Sequence, residues 1–110
     1  MIRFGLFGCG RIGRVHADSI DVHPRAQLSW LYGPVESAAF EVAKRYGAAT
    51  APTVNDAIDD PSIDAVIIAS ATPTHVDLLT LAVRAGKAVL CEKPIDLDLT
   101  RVDRCWAEIA

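Results

Sequence analysis

The chain has 110 residues and a mass of 11.8 kDa, with 51% hydrophobic and 23% charged residues, which predicts one small folded domain and not a disordered segment. Its net charge of −3 and isoelectric point near 5.5 argue against a nucleic-acid partner, because nucleic-acid-binding proteins usually present a basic face. The sequence has no apolar run of the roughly 18 residues that span a membrane and no signal-peptide pattern at its start. Its three cysteines form no Cys-x-x-Cys pair, so we predict a cytoplasmic protein without disulfides or a metal site.

Short apolar runs typical of buried strands alternate with longer stretches whose apolar residues recur at helical spacing. The predicted strands lie at residues 2–7, 28–32, 48–50, 65–69 and 89–91. The predicted helices lie at residues 11–21, 35–46, 53–60, 74–85 and from 99 to the end, and the third opens with a helix-start box at Thr53. Two faces are predicted to turn inward: Ile12, Val15, Ser19 and Ile20 on the first helix, and Leu99, Val102, Trp106 and Ile109 on the last.

This alternation predicts right-handed strand–helix–strand crossovers, and therefore an α/β doubly wound parallel sheet (a Rossmann fold) with helices on both faces. The expected strand order is 3-2-1-4-5, and ligands bind such sheets beyond the carboxyl ends of strands one and four. The last helix is still in phase at Ala110. We therefore expect residues 1–110 to be one domain and a fragment of a longer protein.

A G-x-G-x-x-G motif follows the first strand and opens the first helix, which is the context that marks a dinucleotide site. It consists of Gly8, Cys9, Gly10, Arg11, Ile12 and Gly13. Gly8 allows the tight turn out of the strand, Gly10 lacks the Cβ that would hold a pyrophosphate away, and Gly13 lets the helix approach the sheet. The free N–H groups of the first helical turn then point at the phosphates. The motif predicts that NAD or NADP binds here.

The acidic residue that usually completes this motif is missing. In NAD-binding domains a carboxylate about 20 residues past the glycines accepts a hydrogen bond from the adenosine ribose, but that count ends here at Gly33. Without the carboxylate nothing repels the 2′-phosphate of NADP, which would then lie near Arg11. Alternatively, NAD binds weakly with Glu36 as the substitute acid. The residues leave both cofactors open.

A second polar group, Glu92-Lys93-Pro94, follows the last predicted strand at the same edge of the sheet. Hydride transfer at a hydroxyl carbon needs a group that exchanges the hydroxyl proton, and a lysine can do so. Pro94 restricts the backbone of Lys93, and Glu92 is placed to orient the lysine or the cofactor ribose. Alone, this tripeptide would suit a surface lysine beside a turn. Its combination with the other motifs of the chain changes that interpretation.

Three motifs in order carry a family resemblance: the glycine motif, Ala-Thr-Pro-Thr-His at 71–75 and Glu-Lys-Pro at 92–94. Together they resemble the glucose–fructose oxidoreductase and inositol dehydrogenase family, and Gly-Arg-Ile-Gly-Arg-Val-His at 10–16 looks like its inositol 2-dehydrogenase branch. The resemblance implies a nicotinamide-dependent oxidoreductase that acts on a polyol or sugar hydroxyl and is a homo-oligomer at full length. It implies that residues 1–110 are a dinucleotide-binding Rossmann domain, the N-terminal piece of a two-domain protein without its second, substrate-binding domain. It also implies that Lys93 is a catalytic residue that contacts the substrate hydroxyl, and that further catalytic residues, an Asp and a His, lie in the chain that follows.

The resemblance further implies which residues line the cofactor. They are Gly8, Gly10, Arg11, Ile12, Gly13, Gly33, Ser70, Ala71, Thr72, His75, Glu92, Lys93 and Pro94. By contrast, His16 is expected only to pack or to face solvent, and a helix-start role is the alternative for His75. Two other functions are weighed against the dehydrogenase: a non-catalytic NAD(H)-sensing regulatory domain, and a small S-adenosylmethionine-binding domain. A sensor has no need of a proton-shuttling Lys93, and Gly33 does not supply the acid that methyl-donor sites usually use.

Overall fold

The computed structural model describes all of residues 1–110, as a five-stranded sheet between two layers of helices. The strands are β1 (Ile2–Phe7), β2 (Ala26–Tyr32), β3 (Ala49–Thr50), β4 (Ala65–Ile68) and β5 (Ala88–Cys91). The helices are α1 (Arg11–Val22), α2 (Glu36–Arg45), α3 (Val54–Asp59), α4 (His75–Arg84) and α5 (Leu99–Ile109), with a 3-10 turn at Thr72–Thr74. None of these helices combines the length and apolar character needed to cross a bilayer.

All five strands run parallel in the order β3-β2-β1-β4-β5, which confirms the predicted doubly wound sheet. Because β1 lies between β2 and β4, the direction of winding reverses at the carboxyl end of β1. The strand β4, Ala-Val-Ile-Ile, is apolar throughout, as a parallel strand covered on both faces must be. This sheet therefore offers one switch point where a ligand is expected.

The sheet separates two hydrophobic cores, because successive side chains of a strand point to opposite faces. One core packs Phe7 and Ile68 against α3, α4 and α5, and the other packs Leu6 and Ile67 against α1 and α2. All four side chains are at most 4% exposed, and burying a side chain of this size contributes roughly 1.5–3 kcal/mol. The strands that carry the candidate site are therefore firmly packed on both faces.

The inward face predicted for α1 is partly wrong. Its buried residues are Gly13, Ala17 and Ile20, whereas Ile12 and Val15 are 44% and 51% exposed. Gly13 and Ala17 are one turn apart and small, so the helix approaches the sheet closely along that line. The side chains of Ile12 and Val15 are consequently displaced to the flanks of the helix, and Ser19 is exposed as well, so that Ile20 alone of the predicted face is buried.

The inward face predicted for α5 is also partly wrong. Cys105 is its buried residue, while Leu99 and Trp106 are 76% and 57% exposed. The Cys105 thiol lies 3.4 Å from the Thr80 hydroxyl oxygen of α4. Val102 and Ile109 are half-buried, as predicted, so α5 contacts its neighbours along a narrow stripe around Cys105 and leaves Leu99 and Trp106 in solvent.

Element boundaries differ from the prediction by one or two residues. β2 begins at Ala26, and α4 begins at His75 after the 3-10 turn. The predicted start of α3 is confirmed, because the Thr53 hydroxyl oxygen accepts a hydrogen bond from the Asp56 N–H at 3.1 Å.

Candidate functional site

The carboxyl ends of β1, β4 and β5 meet at one edge of the sheet and bring the three motifs together. Parallel pairing continues just past the strands: the Ala69 N–H donates to the Phe7 carbonyl oxygen at 2.8 Å, and the Glu92 N–H donates to the Ile68 carbonyl oxygen at 2.9 Å. The glycine motif, the turn after β4 and the Glu-Lys-Pro segment therefore lie side by side where the winding reverses.

Each glycine of the motif meets a different geometric demand. Gly8 has a φ of +112°, a region that favours glycine, and a Cβ on it would lie 2.5 Å from the Ala69 carbonyl oxygen. A Cβ on Gly13 would lie 2.0 Å from the Gly8 carbonyl oxygen, so a side chain there would push α1 away from the turn. At Gly10, in contrast, no atom outside the immediate backbone lies within 4 Å of the Cβ position. Because Gly10 has no side chain, the space beside the first turn of α1 is open.

This open space fits the diphosphate of a dinucleotide. Gly10 is the N-cap of α1, it offers no side-chain cap, and the first turn carries no acidic residue. The first N–H groups of a helix have no partner within the helix, and the helix dipole favours an anion there by about 0.3–1 kcal/mol. Arg11 is exposed in the same turn and adds positive charge. The residues present thus match what a pyrophosphate requires.

The end of β2 presents a thiol beside the position where an acid is usual in NAD-binding domains. Gly33 follows β2 directly, and a Cβ on it would lie 2.7 Å from Cys9 Sγ. Cys9 therefore fills the space that a side chain at position 33 would use. Glu36, the candidate substitute acid, is exposed at the start of α2. This arrangement presents no carboxylate at position 33 to a 2′-phosphate.

The turn between β4 and α4 contains Ser70, Ala71 and Thr72 and lies beside Gly8 of the glycine motif. The hydroxyl oxygens of Ser70 and Thr74 are 2.7 Å apart, and the Thr74 hydroxyl donates to the Ala71 carbonyl oxygen at 2.6 Å. These bonds close the turn, so its exposed edge keeps one shape next to Gly8.

The ring of His75 lies beneath the site. His75 is 2% exposed, its Nε2 is 2.9 Å from the Ser70 carbonyl oxygen, and its Nδ1 is 2.8 Å from the Pro94 carbonyl oxygen. The ring therefore joins the turn after β4 to the Glu-Lys-Pro segment. The structure places His75 as the buried support of two segments that line the crevice.

The side chain of Glu92 is held by a residue of α1. His16 Nε2 lies 3.0 Å from Glu92 Oε1, and the Lys93 N–H donates to Glu92 Oε2 at 3.2 Å. These contacts, the His16 hydrogen bond most of all, lower the pKa of Glu92 below its usual range, so the carboxylate is charged at neutral pH. Lys93 itself is exposed, and no ion pair of the chain involves it. Its amine is available to a ligand.

Cys91, immediately before Glu92, is a structural residue. Burial raises the pKa of its thiol to about 11. Because the thiolate is the reactive form of cysteine, Cys91 is unreactive at neutral pH. The neighbouring thiol is therefore no candidate for proton exchange at this end of β5.

His16 is the residue of the site that sequence reasoning missed. The sequence predicts only that it packs or faces solvent, yet it makes the one side-chain contact between α1 and Glu92. A signal was present: His16 follows Gly13 by three residues, and residues three apart share a face of a helix. The glycine that touches the turn therefore also marks the side of α1 that faces the crevice.

A doubly wound parallel sheet with an open glycine turn at its switch point defines a dinucleotide-binding Rossmann domain. Over residues 2–110 the chain matches the sequence profile of an oxidoreductase family with an NAD-binding Rossmann fold. The chain belongs to this family, the glucose–fructose oxidoreductase and inositol dehydrogenase family, which confirms the resemblance carried by the three motifs.

Known relatives agree with this assignment. The inositol 2-dehydrogenase of Rhizobium meliloti (strain 1021) is 45% identical over 106 residues, which are 94% of this chain and 31% of the relative. A solved myo-inositol dehydrogenase from Corynebacterium glutamicum has a TM-score of 0.95 at 41% identity, over 99% of this chain and 33% of that one. A 3-ketoreductase from Actinomadura kijaniata, solved with NADP, has a TM-score of 0.87 at 25% identity, over 98% of this chain and 34% of that one. This chain thus spans about a third of the length of these relatives.

Proposed function

We propose that residues 1–110 form the cofactor domain of an NAD(P)-dependent dehydrogenase that moves a hydride between the nicotinamide and a polyol or sugar hydroxyl, as an inositol 2-dehydrogenase does. A second domain completes the substrate site in this proposal. The proposal of a second domain is supported by the greater length of the relatives: this chain matches only 31% of the inositol 2-dehydrogenase of Rhizobium meliloti.

The observation that carries the proposal is the placement of Lys93. The strand pairing that extends past β4 and β5 positions Glu92, and the Glu92 carboxylate links the Lys93 N–H to His16 of α1. The N-terminal turn of the same helix has the open space and free N–H groups that suit a diphosphate. A free amine next to a dinucleotide site is the arrangement that hydride transfer at a hydroxyl carbon needs.

Each residue of the site then has a chemical task. When bound, the dinucleotide supplies the nicotinamide carbon that accepts or gives the hydride. The first turn of α1 holds the diphosphate, and Lys93 Nζ contacts the substrate hydroxyl and takes up or returns its proton. Glu92 stays charged beside Lys93 and orients that segment. The proposed cofactor residues are Gly8, Gly10, Arg11, Ile12, Gly13, Gly33, Ser70, Ala71, Thr72, Glu92, Lys93 and Pro94, and the buried His75 supports two of these segments from beneath.

The compartment and assembly state belong to the same proposal. A cytoplasmic location is supported by three cysteines that are all free thiols, since disulfides persist in oxidising compartments. A homo-oligomer is proposed for the full-length protein on the strength of the family resemblance. The partner is a small polyol or sugar, with neither nucleic acid nor membrane as a further partner.

Titration of the purified 110-residue chain with NADH and NADPH tests the proposal. Fluorescence transfer from the two tryptophans, Trp30 and Trp106, to the reduced nicotinamide reports binding. We expect at least one of the cofactors to bind, and we expect no oxidation of myo-inositol by this chain, since it would lack the partners that orient a sugar. The unfolded chain in denaturant carries the same tryptophans and corrects for absorption by the cofactor. Absence of binding of both cofactors at millimolar concentration would contradict the proposed function.

A further inference from the structure

We infer that His16 is a positioning residue: by holding the Glu92 carboxylate, it fixes the Glu92–Lys93 segment against α1 and thereby shapes the nicotinamide side of the crevice. This inference rests on the proposed function, and it assigns a role to a side chain that touches neither the diphosphate turn nor the reacting lysine amine.

Both oxygens of the Glu92 carboxylate are engaged, and this fixes the orientation of the side chain. Oε1 is 3.0 Å from His16 Nε2, and Oε2 accepts a hydrogen bond from the Lys93 N–H at 3.2 Å. The two side chains are partly shielded, with exposures of 20% for His16 and 31% for Glu92. Hydrogen bonds to a charged carboxylate are among the stronger ones in proteins. The carboxylate thus links the α1 helix to the backbone at Lys93.

The other end of the same segment is anchored independently. The carbonyl oxygen of Pro94 lies 2.8 Å from the buried ring of His75, and the N–H of Glu92 is bonded to the Ile68 carbonyl oxygen at 2.9 Å. These backbone anchors do not involve His16. Replacing His16 is therefore expected to leave the strand pairing and the chain direction unchanged while it frees the Glu92 side chain and the turn at Lys93.

Loss of His16 can weaken cofactor binding in two ways, by repulsion between Glu92 and the diphosphate or by displacement of Lys93, and an experiment can separate them. The groups that lower the Glu92 pKa are His16 and the neighbouring Lys93. Without His16, the carboxylate is less well compensated and repels any nearby diphosphate, an effect that NADH and ADP-ribose would share. A change in the position of Lys93, in contrast, affects the nicotinamide half alone, and ADP-ribose lacks the nicotinamide.

The experiment compares binding of NADH and of ADP-ribose to the wild-type chain and to the variants His16→Leu and His16→Gln. We expect His16→Leu to weaken NADH binding about ten-fold, the order of one hydrogen bond to a charged group, with a much smaller effect on ADP-ribose. His16→Gln keeps a side-chain N–H donor and is expected to recover part of the loss. The matched control is His23→Leu, because His23 is exposed at the other end of the same helix and should change neither affinity.

A second readout follows Glu92 directly. The pKa of its carboxyl group, measured by NMR, should rise in His16→Leu and remain lowered in His23→Leu. Equal weakening of NADH and ADP-ribose, or unchanged binding of both, would overturn the positioning role, as would a Glu92 pKa that does not move. If the wild-type chain binds neither NADH nor NADPH, the proposed function itself fails, and this inference fails with it.

Discussion

Cys9 and Gly33 act as a pair beside the end of β2. A Cβ on Gly33 would meet Cys9 Sγ at 2.7 Å, but it would lie 3.6 Å from Cys9 Cβ, an ordinary contact. An acid at position 33 is therefore compatible with an alanine at position 9 but not with the present thiol unless that thiol moves. The absence of the acid is thus coupled to the identity of the residue between the first two glycines.

We predict that the double variant Cys9→Ala/Gly33→Asp prefers NADH over NADPH about ten-fold more strongly than the wild-type chain does, because a carboxylate here bonds the ribose hydroxyl and opposes the 2′-phosphate. Gly33 is not among the glycines with positive φ, so the backbone accepts the substitution. Gly33→Asp alone should show a smaller change, and it should also lose stability through the contact with Cys9 Sγ.

The measurement is the ratio of the two dissociation constants, taken for the wild-type chain and all three variants. Cys9→Ala alone is the control, since it opens the space without adding a charge and should leave the ratio as it is. A double variant that folds but keeps the wild-type ratio would show that position 33 does not face the adenosine ribose.

At the scale of the elements, Gly10 and Gly13 lie three residues apart on the same turn of α1 but serve different partners. A Cβ on Gly13 would be 2.0 Å from the Gly8 carbonyl oxygen. A Cβ on Gly10, in contrast, would have no atom beyond the immediate backbone within 4 Å. We predict that Gly13→Ala lowers the free energy of unfolding by about 1–3 kcal/mol, the usual cost of overpacking. Gly10→Ala should change it by no more than about 1 kcal/mol, because the lower entropy of the unfolded chain offsets the poorer N-cap.

Gly10→Ala, which should hardly affect stability, is expected to have a large effect on cofactor binding. In Gly10→Ala the new methyl group occupies the space proposed for the diphosphate, so NADH binding is expected to fall about ten-fold or more even though the chain is folded. Urea unfolding and NADH titration of the two variants provide the comparison. Normal NADH affinity in Gly10→Ala would place the diphosphate elsewhere than above this turn.

The elements that could be predicted from the sequence are those with strong local signals. The apolar run of β4 and the glycine that ends β1 indicate buried parallel strands, and from their alternation with helices the strand order follows. The inward faces of α1 and α5 could not be predicted in full, because a close approach selects small residues such as Ala17 and Cys105 over larger apolar ones. The contact between His16 and Glu92 joins residues 76 positions apart: the spacing from Gly13 indicates the face of α1 on which His16 lies, but no local pattern identifies Glu92 as its partner.

Over the whole molecule, polar side-chain contacts join elements that the two cores already hold together. They link Asp18 to Tyr46, Arg84 to Glu108, His16 to Glu92, and the Lys87 amine to the carbonyl oxygens of Asp60 and Ile63. Exposed ion pairs contribute about 0–1 kcal/mol each, so most of the stability comes from the cores. The polar contacts instead determine how that stability changes with pH.

The signs of these pH effects follow from the direction of each pKa shift. Hydrogen bonds from Ser62 lower the pKa of Asp60, and the contact with His16 lowers that of Glu92. Each carboxylate therefore stabilises the folded chain above its ordinary pKa and loses that contribution as the pH falls. The hydrogen bond with Asp18 raises the pKa of Tyr46, and burial raises that of Cys91. These two groups favour the folded chain only while they are protonated, so stability falls as the pH rises.

Substitution of Cys91 tests how much of the expected decrease in stability at alkaline pH comes from its thiol. Its pKa is raised from an ordinary 9.0 to about 11, so over that range the unfolded chain loses the thiol proton while the folded chain retains it, and the free energy of unfolding decreases. We predict that Cys91→Ala flattens this decrease in urea unfolding measured across the same pH range. Val89→Ala is the matched control, because Val89 is half-buried on the same face of β5 and should lower stability equally at every pH. If the free energy of unfolding decreases as steeply with alkaline pH in Cys91→Ala as in Val89→Ala, the thiol of Cys91 ionises as readily in the folded chain as in the unfolded one.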